Sequence, residues 1–569
     1  MSIKSNKFII YQMMFHLWGN TKTNPQKDGN ASTNGSTKFS DVSNNALKVL
    51  FNKGYTHLYP TGIIEHATKE DFSKFGCTID HPSIVKGRCG SPFAIKDYYD
   101  VNPFLADNPQ NRLEEFQLMV DRIHDNHLKI ILDFVPNHLA RQYHSDKKPE
   151  GIVDFGFNDR KDVTFSPQNN FYYLPGTQFV VPNNSVNEEI NQPYVEIPAR
   201  ASGNNVFSPE PTLHDWFETV KLNYGIDVHN HGHIHFDPIP DTWVKMLEVL
   251  TYWTNLGMDG FRCDMAEMVP VEFWAFVIPQ IKAINPNVIF IAEIYQPHVY
   301  ANYLEKGHFD YLYDKVGMYD SLRSLMESNN HAHTSAITHV WQHESGGFSN
   351  KMLRFLENHD ETRINSEGFA AHNIWSTIPA MIITSTLHGG PFMIYFGQEF
   401  GEMSNEIEGF NDAKDRTSMY DFWRVDTHQR WLNQGQFNYE LLSNQEIALD
   451  QFYQQLFIFV KGSNAVQFGH FFDLQYAQDE SYPCQFVYAY LRHLPDEQLL
   501  FINNFHPTEI LRFSLRIPEL AIELMGSKDF VWEIHQAFIP PQTFLEPPKN
   551  FVQKEILISP NSTYIFKAI

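Results

Sequence analysis

The amino-acid sequence predicts an α/β chain built on a (β/α)8 barrel, with a subdomain inserted after the third strand and an all-β sandwich at the C-terminal end. Three observations predict it. From the start to about residue 460, short β-rich runs alternate with longer stretches of helical periodicity, and the β-rich runs number eight. The runs are apolar throughout rather than alternating, as parallel strands covered on both faces are. Polar residues gather at their carboxyl ends, where a closed parallel barrel carries its chemistry. The expected division is residues 1–138 and 240–466 for the barrel, 139–239 for the insertion and 467–569 for the sandwich.

In chain order, "FIIYQMMFHL" (8–17) is the first strand, followed by a polar loop and a helix over 41–54. "YTHLYPTGI" (55–63) precedes a helix over 111–127, where Leu113, Phe116, Met119, Val120 and Ile123 keep the i, i+3, i+4 spacing of one buried face. "KIILDFVPNH" (129–138), "MDGFRCD" (258–264) and "VIFIAEIY" (288–295) supply strands three to five. "FDYLYD" (309–314), "MLRFLENHD" (352–360) and "PFMIYFGQE" (391–399) complete the set. About a hundred residues after the third strand are too many for a simple loop, hence the inserted subdomain. Past 467 the helical period gives way to short strands with turn signals.

With 569 residues the chain exceeds what one hydrophobic core serves, and 42% apolar with 19% charged residues fits a globular protein. The net charge of −24 repels nucleic acid and anionic membranes, so neither is expected as a partner. Aromatic residues make up 15%, which suits stacking on flat apolar faces such as those of sugar rings. Four cysteines (Cys77, Cys89, Cys263 and Cys484) show no CxxC pair and no zinc spacing, although Cys77 and Cys89 are close enough in sequence to bridge. The apolar N-terminal run contains Gln and His and no small-residue cleavage site, so cytoplasm is the expected compartment, with export left open if a leader was removed.

Asn358, His359 and Asp360 after a strand would, taken alone, read as a turn, because Asn and Asp side chains bond nearby backbone. Four runs change that. "DFVPNH", "GFRCD", "IAE" and "FLENHD", in this order on strands three, four, five and seven, closely resemble the four signature regions of the α-amylase family of glycoside hydrolases. The long insertion and the β-rich C-terminal region match that family's plan as well.

The resemblance implies chemistry that needs these residue types. Cleavage with retention takes two carboxyl groups about 5–5.5 Å apart, one nucleophile and one acid/base. By resemblance Asp264 is the nucleophile, Glu293 the acid/base, and Asp360 a third carboxylate that binds sugar hydroxyls and favours the cationic transition state. Neighbouring parallel strands lie about 5 Å apart, close to the separation a retaining pair requires. Arg262, two residues before Asp264, points to the same side of its strand, where its cation is expected to keep Asp264 ionised. His138 and His359 would donate to hydroxyls of the sugar being cleaved. Phe93 and Asp97, in "GSPFAIKDYYDVN", fall in the loop after strand two, where the family sets an aromatic beneath the sugar.

Asn137 matches a position that often ligates calcium in this family, together with a backbone oxygen near the end of the second signature. That signature usually closes on Lys-His, and here the residues are Glu267 and Met268. The departure leaves calcium open, and with it the choice between hydrolysis and transfer. The expected function is a retaining hydrolase of α-1,4-linked glucans, with a transglycosylase or short malto-oligosaccharide hydrolase as alternative. A non-catalytic carbohydrate-binding homologue would have lost one of the three carboxylates, and all three are present.

Overall fold

Each of the eight apolar runs is a strand of one closed parallel barrel. In the computed structural model these are β1 (Ile9–Met14), β2 (His57–Thr61), β3 (Lys129–Phe134), β4 (Gly260–Cys263), β5 (Ile289–Ala292), β6 (Tyr311–Tyr313), β7 (Met352–Phe355) and β8 (Phe392–Tyr395). They pair in sequence order, and β8 closes on β1 with Ile9 opposite Phe392 and Gln12 opposite Tyr395. The structure describes residues 7–569 except 183–191, 329–330, 370–372, 406–409, 411–413, 527–530, 542, 544, 546 and 552–554. Ile10, Tyr59, Ile131, Ile291, Tyr313, Leu353, Phe355 and Met393 fill the barrel interior. Gly260 opens β4 where a Cβ would fall 2.6 Å from Ile289 Cγ1, so only glycine lets the two strands approach there.

A helix follows every strand: α1 (Asn44–Lys53), α2 (Arg112–Asp125), α3 (Asp241–Asn255), α4 (Val271–Ile284), α5 (Tyr300–Glu305), α6 (Asp320–Met326), α7 (Thr377–Thr386) and α8 (Asn444–Gly462). The first is shorter than the expected 41–54, because Ser43 accepts from the Ala46 amide as N-cap and Gly54 turns left-handed at the other end. Ser443 and Glu446 close a capping box on α8.

Between β3 and α3 the chain forms short antiparallel ladders, and His138–Ala140 pairs with Thr219–Lys221. Glu196, Arg141 and Arg200 make a buried ion cluster within this stretch, with Arg141 stacked 3.7 Å over the Phe179 ring. At the C-terminal end, a six-stranded antiparallel sheet shares its core with a second sheet of only two strands, Leu511–Ser514 and Glu555–Ile558. Pro518 and Gly526 bracket a short helix, Glu519–Met525, which buries Ala521 and Met525. All four cysteines are free. Among the described residues no helix is long and apolar enough to cross a membrane.

Candidate active site

The carboxyl ends of β3, β4, β5 and β7 bring the signature residues together. Arg262 is 1% exposed and lies opposite Asp133 across the β3–β4 pairing. Its Nη1 donates to Asp264 Oδ1 at 2.8 Å and to Asp133 Oδ1 at 3.1 Å. Its Nη2 lies 2.7 Å from Glu293 Oε1, a charge contact without hydrogen-bond alignment. One guanidinium therefore serves three buried carboxylates. The Tyr59 hydroxyl donates to Asp133 Oδ1 at 2.7 Å and completes the floor beneath them.

Arg262 makes the expected contact with Asp264, and burial opposes it. Burial pushes the Asp264 carboxyl well above the ordinary range, Arg262 pulls it down, and the nearby Glu293 and Asp133 push it up again. A single cation faces three buried carboxylates here, and burial is the larger influence on Asp264.

Glu293 is 2% exposed. Its Oε2 accepts from the Met265 amide at 2.7 Å and its Oε1 from the Tyr295 hydroxyl at 2.5 Å. Met265, directly after Asp264, holds a left-handed backbone at φ 44° and ψ 44°, a conformation costly for a non-glycine residue and kept here by the bond to Glu293.

His359 and Asp360 follow β7. Gln12, from β1, donates to His359 Nδ1 at 2.9 Å, which leaves the ring proton on Nε2, 3.1 Å from Asp360 Oδ2. Arg416 reaches the other oxygen of Asp360 at 3.1 Å. Burial works against the Asp360 charge, but His359, Arg416 and Arg262 outweigh it and hold the carboxyl well below the ordinary range. With 38% of that side chain exposed, solvent screens part of this effect.

Asp264, Asp360, His138, His359 and Phe93 line one cavity of about 250 Å3, walled on the other side by Lys86, Trp216 and Glu218. Glu293 is not among the residues that line it, and Tyr295 donates to its Oε1. Phe93 stacks 5.1 Å from the His359 ring and lies 5.5 Å from the Arg262 guanidinium carbon, which places it on the cavity wall. His138 packs 5.0 Å from the Trp216 ring. Burial, then the charges of Lys221 and Lys86, pull its imidazole down to about 3, so it is neutral and can donate or accept.

Asp97 is not part of this group. It is fully buried, and its carboxylate accepts from Ser145 Oγ at 2.6 Å and from the amides of Asp146, Lys147 and Tyr99. These bonds fasten the loop after Ala140 to the strand Ile95–Val101.

Asn137 is fully buried, and its side chain faces inward among protein groups. Its Nδ2 donates to the Gly203 carbonyl at 2.9 Å, which turns Oδ1 toward Lys221. The Lys221 ammonium donates to that oxygen and, at 3.2 Å, to the Met268 carbonyl. Calcium asks for six to eight oxygens, usually with carboxylates among them. Two neutral oxygens already engaged by an ammonium do not fit it. Burial pulls the Lys221 ammonium down to about 7.

Sequence reasoning missed Asp133, Tyr59, Gln12, Tyr295, Trp216, Lys86, Glu218 and Arg416. Asp133 stands at the head of the first signature and Tyr295 two residues after Glu293, so both carried a period-two signal. The others reach the site from segments far away in sequence.

A family model described as the α-amylase catalytic domain matches residues 90–432, more than half of the chain. α-Amylase 3 of Dictyoglomus thermophilum is 23% identical over 460 residues, covering 73% of this chain and 74% of that protein. A cyclomaltodextrin glucanotransferase of Geobacillus stearothermophilus is 22% identical over 72% of this chain and 56% of its own length. Among solved structures, an α-amylase of Geobacillus thermoleovorans bound to acarbose superposes with a TM-score of 0.62 at 16% identity, over 99% of this chain and 98% of that one. A family model that matches more than half of the chain shows that the chain belongs to the α-amylase family.

Proposed function

We propose that this protein is a retaining glycoside hydrolase of α-1,4-linked glucans that works through a covalent glycosyl-enzyme on Asp264. The observation that carries the proposal is the Arg262 guanidinium, with Asp264 on one nitrogen and Glu293 on the other. It holds two carboxyl groups side by side, as a double displacement requires.

In the first step an Asp264 oxygen attacks the anomeric carbon while Glu293 gives its proton to the leaving glycosidic oxygen. Tyr295 must yield Oε1 to the glycosidic oxygen as substrate enters. In the second step Glu293 takes a proton from water, whose oxygen displaces Asp264, and the product keeps the α configuration. Asp360 and His359 face the same cavity and favour the positive charge that develops on the sugar ring. Phe93 and Trp216 supply apolar faces for the sugars.

Transfer to a second sugar in place of water is the other outcome this scaffold supports. Glu267 and Met268 stand where the family usually carries Lys-His on the leaving-group side, and a relative named as a glucanotransferase is similar over 72% of this chain. Incubation with maltoheptaose, with chain length and anomeric form followed over time, separates the two. Shorter α-anomers alone are expected; longer products would move the assignment to transfer, and β-anomers would remove the glycosyl-enzyme from it.

A further inference from the structure

Lys221 is a buried lysine that the reaction does not use. It sits opposite His138 in the antiparallel pairing between His138–Ala140 and Thr219–Lys221, so the inserted stretch delivers it to the end of β3. Its ammonium bridges Asn137 Oδ1, next to His138, and the carbonyl of Met268, four residues after Asp264. Among the described residues no carboxylate lies within ion-pair distance of it, so its charge is answered by those two oxygens. The approach is tight: a Cβ on Gly203 would fall 2.4 Å from Thr219 Oγ1 and 2.9 Å from His138 Cβ.

We propose that the Lys221 ammonium is the built-in cation that fastens the inserted stretch to the ends of β3 and β4, in the place where a calcium ion would be sought. Three points carry this. The two oxygens that resemblance assigns to calcium, Asn137 Oδ1 and a carbonyl closing the second signature, are the ones Lys221 engages. Neither donor is charged, so a hard divalent ion would gain little there. A second cation beside the ammonium would also meet direct repulsion. The tether arrives with the chain, so the junction forms without any ion from solution. Lys221 is thus a positioning residue: it acts on Asp264 and His138 through the backbone that bears them.

The test uses the full chain. Thermal unfolding of the unaltered protein with a calcium chelator and with added calcium should give the same melting temperature; a higher one with calcium would overturn the proposal. Lys221→Met keeps the aliphatic stem and removes the charge, and it should melt lower and lose kcat more than KM. A Met variant equal to the parent in both would overturn the proposal. In Lys221→Ala, added propylammonium, the missing piece, should restore kcat and the melting temperature, and propanol should not. Rescue by both or by neither would show that Lys221 only fills space, and would likewise overturn it. If the Ala variant does not fold, the chelator and Met measurements decide. None of these melting measurements depends on which glucan is the substrate.

Discussion

Arg262 and Asp264 lie on the same face of β4 and its continuation, joined at 2.8 Å, and the far side of the same guanidinium meets Glu293. Replacing Arg262 with Met would leave Asp133, Asp264 and Glu293 buried without their cation. Removing one member of a buried charge cluster costs about 3–5 kcal/mol. Chemical denaturation should show a loss of that order at pH 7 and a smaller one at pH 5, where the stranded carboxylates can protonate.

Asp264→Asn should lower kcat by several orders of magnitude, since an amide cannot serve as the nucleophile. It should also raise the melting temperature at neutral pH. The folded Asp264 carboxyl sits above its unfolded value, so its contribution to stability is full below the unfolded value, about 3.9, and is lost as pH rises through the folded one. The variant's advantage should therefore shrink toward pH 4. Equal melting temperatures across the range would show that Arg262 balances the charge fully.

Asp360 carries the opposite sign. Its folded carboxyl lies below the ordinary range, so its stabilising effect is present above the unfolded value and disappears as pH falls through the folded one. With the side chain more than a third exposed, Asp360→Asn should cost under about 1 kcal/mol at pH 7. Its effect on rate should be much larger, a fall in kcat of about 10²–10³, the scale of removing one group that stabilises transition-state charge. Steady-state kinetics beside a melting curve separates the two.

Trp216 forms part of the cavity wall from the inserted stretch, 5.0 Å from His138. Trp216→Ala should raise KM for malto-oligosaccharides several-fold and leave kcat nearly unchanged, the pattern of a contact made equally in ground and transition states. A fall in kcat with unchanged KM would instead assign Trp216 to positioning His138.

The barrel was legible because parallel strands covered on both faces have to be apolar throughout, and the eight runs were. The signature side chains were legible because the chemistry of such a barrel sits at strand ends, where Asp264, Glu293 and His359 are found. Asp97 shows the limit of that logic. It lies four residues from Phe93, yet the Phe93 ring meets the cavity while the Asp97 carboxylate turns to Ser145 Oγ and the amides of Asp146 and Lys147. Gln12, Arg416, Trp216 and Lys221 were hidden for another reason: closure of the barrel and folding of the insertion bring them in from far along the chain, and no local period records that. The short helix at Glu519–Met525 fell below the length at which periodicity separates helix from strand.

The most direct measurement is to trap the covalent intermediate. The protein is incubated with a fluorinated α-glucosyl fluoride that reacts as donor but is released slowly, then digested and analysed by peptide mass spectrometry. One added glycosyl unit on the peptide that carries Asp264, absent in Asp264→Asn, is the expected result. Labelling at Glu293 or Asp360, or turnover with inversion and no adduct, would contradict the assignment of Asp264 as nucleophile.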